Sequence, residues 1–324
     1  MSAYDFDVIV TLSDKTLSSK FVKDFLSRGA TIFRINGSHA NPAQAKAMIK
    51  RIRKFSQKRS KILIDLPGSK VRFRNFPHPL HIKKNTPFTL RKENFNYPEL
   101  LKLLRKDNLL FASDGTLPFQ LIDKRGTDYL FKSSIDGVLQ NGKGINVRGE
   151  HPPIPFLHKV DYQLINLAIQ EGVDFLGFSY VRSPDDIIQA NDAIKKSKTS
   201  AIIKVETYEA CKQLKKIIPL TETILIDRGD LASEIGIHNI PKQIKNIVRE
   251  ANKQKKKILM ATQFLYYMVK HPIPSLSEIV ALHEAFRFSH GIQLSEETAI
   301  GEYPLAALEV IQEGLTVVRG KKQL

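Results

Sequence analysis

The sequence predicts an α/β fold: a (β/α)8, or TIM, barrel with a β-rich domain inserted after the third strand. Short β-branched apolar runs alternate with helical patterns along most of the chain, the rhythm of parallel strands joined by crossover helices. Eight such units can be counted. The rhythm breaks once, over residues 71–154, and removing that stretch leaves roughly 240 residues, close to the ~250 of a barrel. The barrel is therefore expected over 1–70 and 155–324, with the inserted domain over 71–154. An open doubly wound sheet is the alternative that strand counting leaves standing.

Each element has its own signal. Asp7–Leu12 is a β-branched run followed by a helical pattern from Leu17 to Ser27 and a stop at Gly29. Thr31–Ile35 is the second strand, and Asn41-Pro42 opens a helix to about Gln57. Lys61–Asp65 is the third, ended by Pro67-Gly68. Within the insertion, Thr86–Leu90, Leu109–Phe111, Phe119–Asp123 and Tyr129–Ser133 read as short strands. Asp114-Gly115, Asp136-Gly137 and Asn141-Gly142 mark the turns between them. The rhythm resumes with a helix from Asp161 to Gln170, strand Phe175–Tyr180 and helix Pro184–Lys196. Strand Ile202–Glu206, helix Tyr208–Ile217, strand Ile224–Asp227 and helix Pro241–Gln254 follow. Strand Ile258–Thr262, helix Ser275–Arg287, strand Gly291–Ser295 and helix Pro304–Val317 complete the series.

The net charge of +17 favours anionic partners, phosphorylated metabolites or nucleic acid. Much of it sits on lysines of helix faces, such as Lys212, Lys215, Lys216, Lys253, Lys255, Lys256 and Lys257, which read as solvated surface. No aromatic residues interleave with these runs and no nucleic-acid-binding motif occurs, so nucleic acid is a minor reading. The single cysteine, Cys211, excludes an internal disulfide and a cysteine-based metal site. An acidic start without a basic leader, and no apolar run of membrane-spanning length, give the expectation of a cytoplasmic protein.

The chemistry is expected where two apolar runs break into charge, at Lys204-Val205-Glu206 and at Asp227-Arg228-Gly229-Asp230. Side chains alternate along a strand, so Lys204 and Glu206 share a face and Val205 takes the other. An ordinary ion-paired strand end accounts for either motif alone; together, in adjacent units, they favour a site. Were Glu206 and Asp230 brought within ~4 Å, they would repel by about 4 kcal/mol at an effective dielectric near 20, which a divalent cation relieves. Gly229 lets a ligand approach the backbone and offers its amide to an anion. A closed barrel also collects Arg34, Asn36, Ser38, Asp65, Ser179, Arg182, Thr262, Ser295 and Glu297 at the C-terminal rim. Cations facing carboxylates suit a phosphorylated carboxylic acid bridged by a metal. Phosphoryl transfer and chemistry on a metal-bound enolate both remain open on this inventory.

Arg-Ile-Asn-Gly-Ser-His at 34–39, Lys-Val-Glu at 204–206, Arg-Gly-Asp-Leu at 228–231, Ala-Thr-Gln at 261–263 and Leu-Ser-Glu-Glu-Thr-Ala at 294–299 resemble signature segments of pyruvate kinases. The insertion, with Gly-Lys-Gly-Ile-Asn at 142–146, resembles that family's lid. The resemblance implies phosphoryl transfer from phosphoenolpyruvate to ADP with Mg2+ or Mn2+. It implies Glu206 and Asp230 as metal ligands and Lys204 as the neutralising cation. Thr262 is implied beside the substrate methylene, Arg34 and Arg72 on phosphate, and the Arg228-Gly229 backbone, with Asp230, on the substrate carboxylate. Arg34, His39 and Lys143 are the implied nucleotide contacts. Asn36, Ser38 and Asp65 match the monovalent-cation ligands. Leu66 and Lys70 stand where potassium-dependent members have threonine and glutamate, so K+ is expected to be dispensable.

The nucleotide end departs from the pattern. Ser13 and Asp14 replace a family glycine and proline, Glu296 replaces a glycine, and Ile300 a lysine. The stretch Ser277–Arg287 drops a family aspartate and is one residue short. A C-terminal effector domain is expected to be absent, and homo-oligomers through the barrel are an open expectation. Two other readings stand beside the first: a relative that passes phosphoenolpyruvate or an enolate to a different acceptor, and a non-catalytic basic binding protein.

Overall fold

A computed structural model describes residues 6–106, 108–112, 115–147, 153–318 and 320. Eight parallel strands close a barrel: β1 Asp7–Thr11, β2 Ile32–Asn36, β3 Lys61–Asp65, β4 Phe175–Phe178, β5 Ser200–Val205, β6 Thr223–Asp227, β7 Lys257–Ala261 and β8 Gly291–Leu294. Each pairs in parallel with its neighbours, and β8 returns to β1 through Asp7–Gly291 to Val10–Leu294. The open-sheet alternative is thereby set aside.

Two-residue periodicity sorts each strand into two environments. Val8, Val10, Ile203, Val205, Ile224 and Ile226 face outward into the large cluster shared with the helices. Ile9, Ile32, Leu63, Ile202, Leu225 and Leu259 face inward as a small apolar plug. Two residues further along the same faces stand Thr11, Arg34, Asp65, Lys204 and Asp227, all buried. The barrel interior therefore changes from hydrocarbon to charge within one step of the strand repeat, and that step places the candidate site.

The interrupting segment forms its own β structure. A five-stranded antiparallel sheet runs in the order Ile145–Val147, Leu109–Ala112, Leu117–Arg125, Asp128–Ser133, Pro87–Arg91, with Leu80–Ile82 pairing Gly137–Leu139 beside it. A second apolar cluster, from Val71 to Ile154, fills it with Phe73, Phe95, Phe119 and Phe131. The two short strands Leu80–Ile82 and Gly137–Leu139, strand Ile145–Val147 and helix Leu100–Leu103 were not expected from sequence. Of the turn signals, Asp114 lies outside the described residues.

Differences elsewhere are local. The helix expected over Tyr208–Ile217 breaks at Gln213 into Tyr208–Lys212 and Leu214–Ile217. Two unexpected helices, Arg228–Ile235 and Glu296–Ala299, begin directly after β6 and one residue past β8. The first starts because the Asp227 side chain accepts the Asp230 N–H as its cap. Among the described residues no helix is long and apolar enough to cross a membrane.

Helix Arg228–Ile235 is also where the inserted unit meets the barrel. The Asn146 amide donates to Glu234, and Gly115 packs against Ser233. Glu234 also faces Glu209 and Asp230, and the Tyr208 N–H lies 3.4 Å from its Oε2. Burial, only partly offset by the Asn146 bond and reinforced by Glu209, pushes Glu234 up to about 8. With its folded pKa raised, Glu234 stabilises the fold fully below the unfolded value of 4.5, and this contribution is lost as pH rises through about 8. Glu234→Gln is expected to remove a pH-linked loss of about 5 kcal/mol. Thermal unfolding of both proteins from about pH 5 to pH 9 checks this, and curves that stay parallel throughout would count against it.

Candidate active site

A cavity of about 1020 Å3 opens at the C-terminal end of the barrel beneath the inserted unit. Arg34, Asn36, Ser38, His39, Asp65, Lys70, Arg72, Lys143, Lys204, Gly229, Asp230 and Thr262 all line it. Glu206 lies just below its floor, fully buried, and the Arg228 side chain turns away from it.

Lys204 is the centre of the floor. Its Nζ lies 3.0 Å from Glu206 Oε2, 3.3 Å from Asp227 Oδ2 and 3.6 Å from Asp65 Oδ2. Burial opposes a charge here, yet Asp65, Glu206 and Asp227 hold the ammonium's pKa well above its usual value. Lys204 is thus a fixed positive charge near neutrality, suited to stabilising anionic oxygen and unsuited to giving up a proton. Arg34 holds Asp65 Oδ2 through Nε at 3.0 Å and Nη2 at 2.7 Å, and its Nη1 donates to Thr11 Oγ1 at 2.9 Å. Against its own burial, Asp65 is kept ionised by Lys204 and then Arg34.

The acidic side comprises three residues. Oxygens of Glu206, Asp227 and Asp230 lie within 4.8 Å of one another, a spacing that one hard cation can span. Glu206 Oε2 is buried without a hydrogen bond, and the Lys204 ammonium is its charged neighbour. Burial pushes Glu206 up to about 8. Asp230 goes the other way, to about 2, because Lys70 and then Lys204 outweigh its burial. An oxygen-rich set in which Glu206 Oε2 accepts no hydrogen bond and has the Lys204 ammonium as its charged neighbour fits a divalent cation. Asp227 belongs to it, although the sequence reading placed Asp227 only at the rim. Its position two residues beyond the inward-facing Leu225 was the available signal.

The segment after β7 leaves the regular strand at Thr262, with φ of 65°, and continues through Gln263 at 60°. This turn points the Thr262 hydroxyl into the cavity, where it accepts the Gly229 N–H at 2.8 Å and lies 3.1 Å from Asp227 Oδ1. Arg228 ties down the same turn from the far side: its guanidinium donates to the Thr262 carbonyl and stacks 3.6 Å from the Phe264 ring centroid. Only the backbone of Arg228-Gly229 can therefore serve a ligand in this cavity.

The monovalent-cation group is dispersed. The Lys70 ammonium pairs with Asp230, while Asp65 is held by Arg34 and Lys204. Asn36 Oδ1 accepts the Ser38 N–H, and Ser38 Oγ accepts from Arg72, which also donates to the Gly142 carbonyl. Burial, then Arg72 and Arg34, lower the pKa of His39 and keep its imidazole neutral at pH 7. Ser13, Asp14, Glu296 and Ile300 line the outer end of the cavity. Ser13 and Lys15 donate to the carbonyls of Ala299 and Ile300, joining the loops that follow β1 and β8.

Residues 4–308 match the family description "Pyruvate kinase, barrel domain". The chain is 28% identical over 322 residues to the pyruvate kinase of Thermotoga maritima, covering 94% of this chain and 69% of that protein. It is 29% identical over 318 residues to that of Clostridium perfringens, with coverage of 93% and 67%. The Staphylococcus saprophyticus pyruvate kinase is also 29% identical, over 94% of this chain but 55% of its own length. The chain thus spans about two thirds of the first two relatives and little more than half of the third. A match over nearly every described strand and helix, on a barrel that gathers the same motifs into one cavity, makes this chain a member of the pyruvate kinase family.

Proposed function

We propose that the chain transfers the phosphoryl group of phosphoenolpyruvate to ADP, giving pyruvate and ATP, with Mg2+ or Mn2+ held by Glu206 and Asp230. The observation that carries this reading is the Lys204 ammonium, fixed among Asp65, Glu206 and Asp227 on the floor of a cavity lined by Arg34, Arg72 and Thr262. The bond between phosphorus and the enol oxygen breaks, and one to the terminal phosphate oxygen of ADP forms. The enolate left behind takes a proton at its methylene carbon. A bound divalent cation would supply charge neutralisation at the phosphoryl and enol oxygens. Lys204 stabilises the same developing charge, Arg34 and Arg72 orient the phosphoryl oxygens, and the Gly229 amide receives the carboxylate on exchanging its bond to Thr262 Oγ1 for one to the substrate. Thr262, already linked to Asp227, orients the group that delivers the proton. Positioning and charge dominate the barrier to phosphoryl transfer, so no further nucleophile is required. The inserted unit acts as a lid that excludes water from the cavity.

Pyruvate formation from phosphoenolpyruvate with Mg2+ and each nucleoside diphosphate tests the reading, with ADP expected to be turned over. Glu296 and Asp14 on the cavity wall, with Ile300 where a cation would help a polyanion, favour a second reading in which another acceptor replaces ADP. Metal-dependent enolisation of pyruvate without turnover of any nucleotide would select it. Tight nucleic-acid binding by an inactive protein would instead select the non-catalytic reading.

Lys70 supplies a resident cation beside Asp230, which supports independence from K+. Turnover is expected to stay within about twofold when K+ is exchanged for Na+ at fixed ionic strength, since no charge remains for K+ to supply. A strong, saturable rise with K+ would show that Lys70 does not fill that role.

A further inference from the structure

We propose that Tyr180 is a positioning residue of the divalent-cation site, fixing the carboxylates of Glu206 and Asp230 relative to each other from one strained backbone position; the proposal rests on the reading that these two residues hold the metal. Tyr180 follows β4 by two residues and has φ of 59°, in the left-handed region that a bulky side chain rarely adopts. The conformation is maintained from both sides. The Gly68 backbone packs against the Ser179 carbonyl so closely that an added Cβ would sit 2.9 Å from its oxygen, and Thr207 Oγ1 donates to the Val181 carbonyl at 2.7 Å. Strain that persists under such clamping tends to mark function.

The geometry that the strain secures is specific. The Tyr180 N–H donates to Glu206 Oε1 at 2.8 Å, and its hydroxyl donates to Asp230 Oδ1 at 3.1 Å. One residue therefore bonds both carboxylates, with its backbone on the first and the end of its ring on the second. Tyr180 is 2% exposed and lines the cavity, and the length of its ring sets the distance between the two bonds. Rotating either carboxylate out of place would break a buried hydrogen bond, and a preset pair of ligands binds a cation without having to be ordered first. The phenol acts here as a neutral donor.

Tyr180→Phe keeps the ring and removes only the hydroxyl. Binding of Mn2+ to the full chain, followed through the electron-spin resonance of the free ion, is expected to weaken roughly 10-fold. The thermal midpoint should stay within a degree or two, because ring and backbone are retained. In turnover, the loss should appear in the Mn2+ concentration needed for half-maximal rate more than in the rate at saturating Mn2+. Asp230→Asn serves as the reference for the site itself. If wild type binds Mn2+, Asp230→Asn loses it and Tyr180→Phe binds as wild type or tighter, the role given to Tyr180 is overturned while the metal site stands. If wild type shows no saturable Mn2+ binding, or Asp230→Asn retains it, the metal site falls and this proposal with it.

Discussion

Replacing Lys204 by methionine is expected to reduce pyruvate formation by about 10^3-fold or more. The ammonium is held 3.0 to 3.6 Å from Glu206, Asp227 and Asp65, so it cannot be substituted by a passing solvent cation of the same geometry. The same variant tests whether the lysine is merely structural. Methionine leaves three carboxylates facing one another in a buried space, and breaking such a set costs about 3–5 kcal/mol. A large fall in thermal midpoint is therefore expected in metal-free buffer. Saturating Mg2+ should restore most of that stability, because the cation neutralises Glu206 and its neighbours. It should not restore turnover, because nothing then stabilises charge at the position of the lysine. Recovery of both together would mean that Lys204 only holds the fold.

How much of this was legible in the sequence follows from how directly each feature depends on period. Lys204 and Glu206 share a face because strand alternation leaves no other choice, and Ile202 on the same face points into the barrel plug. The barrel likewise follows from runs long enough to show their repeat. The strands Leu80–Ile82, Gly137–Leu139 and Ile145–Val147 have three residues each, too few to show alternation, and were missed. For Arg228 the resemblance implies a backbone role only, and the direction of its side chain is not readable from the sequence. The helix that begins at Arg228 swings its side chain onto Phe264, and a helix start breaks the alternation that would have predicted its direction. Tyr180 was invisible for a related reason: its position depends on a left-handed φ imposed by Gly68 and the β4 loop, and no residue type at 180 announces it. Lys70 was recognised as a resident cation, but its partner was not. Whether it would reach Asp65 or Asp230 depends on competition from Arg34 and Lys204, which only the assembled barrel decides.

That competition supplies the other large expected effect. Asp230→Asn should weaken Mn2+ binding at least roughly 100-fold and lower turnover by about 10^3, since a carboxylate oxygen is lost from a set of three. The fold should largely survive. Asparagine retains an oxygen for the Tyr180 hydroxyl, so the chief cost is the charge pairing of Lys70, a largely buried cation, and a moderate fall in thermal midpoint is expected beside the loss of metal. Lys70→Met breaks the same ion pair from its other end, and the two variants should move metal affinity in opposite directions. Removing the ammonium takes away a positive charge that contacts the ligand oxygen, so Mn2+ should bind roughly 10-fold more tightly. Calorimetric titration of both variants with Mn2+ decides the matter. If Lys70 and Asp230 formed only a structural tie between the inserted unit and the barrel, both substitutions would lower stability alike and leave the metal isotherm where it was. Opposite shifts instead place Asp230 under two competing claims, one from a lysine fixed in the chain and one from an exchangeable divalent ion.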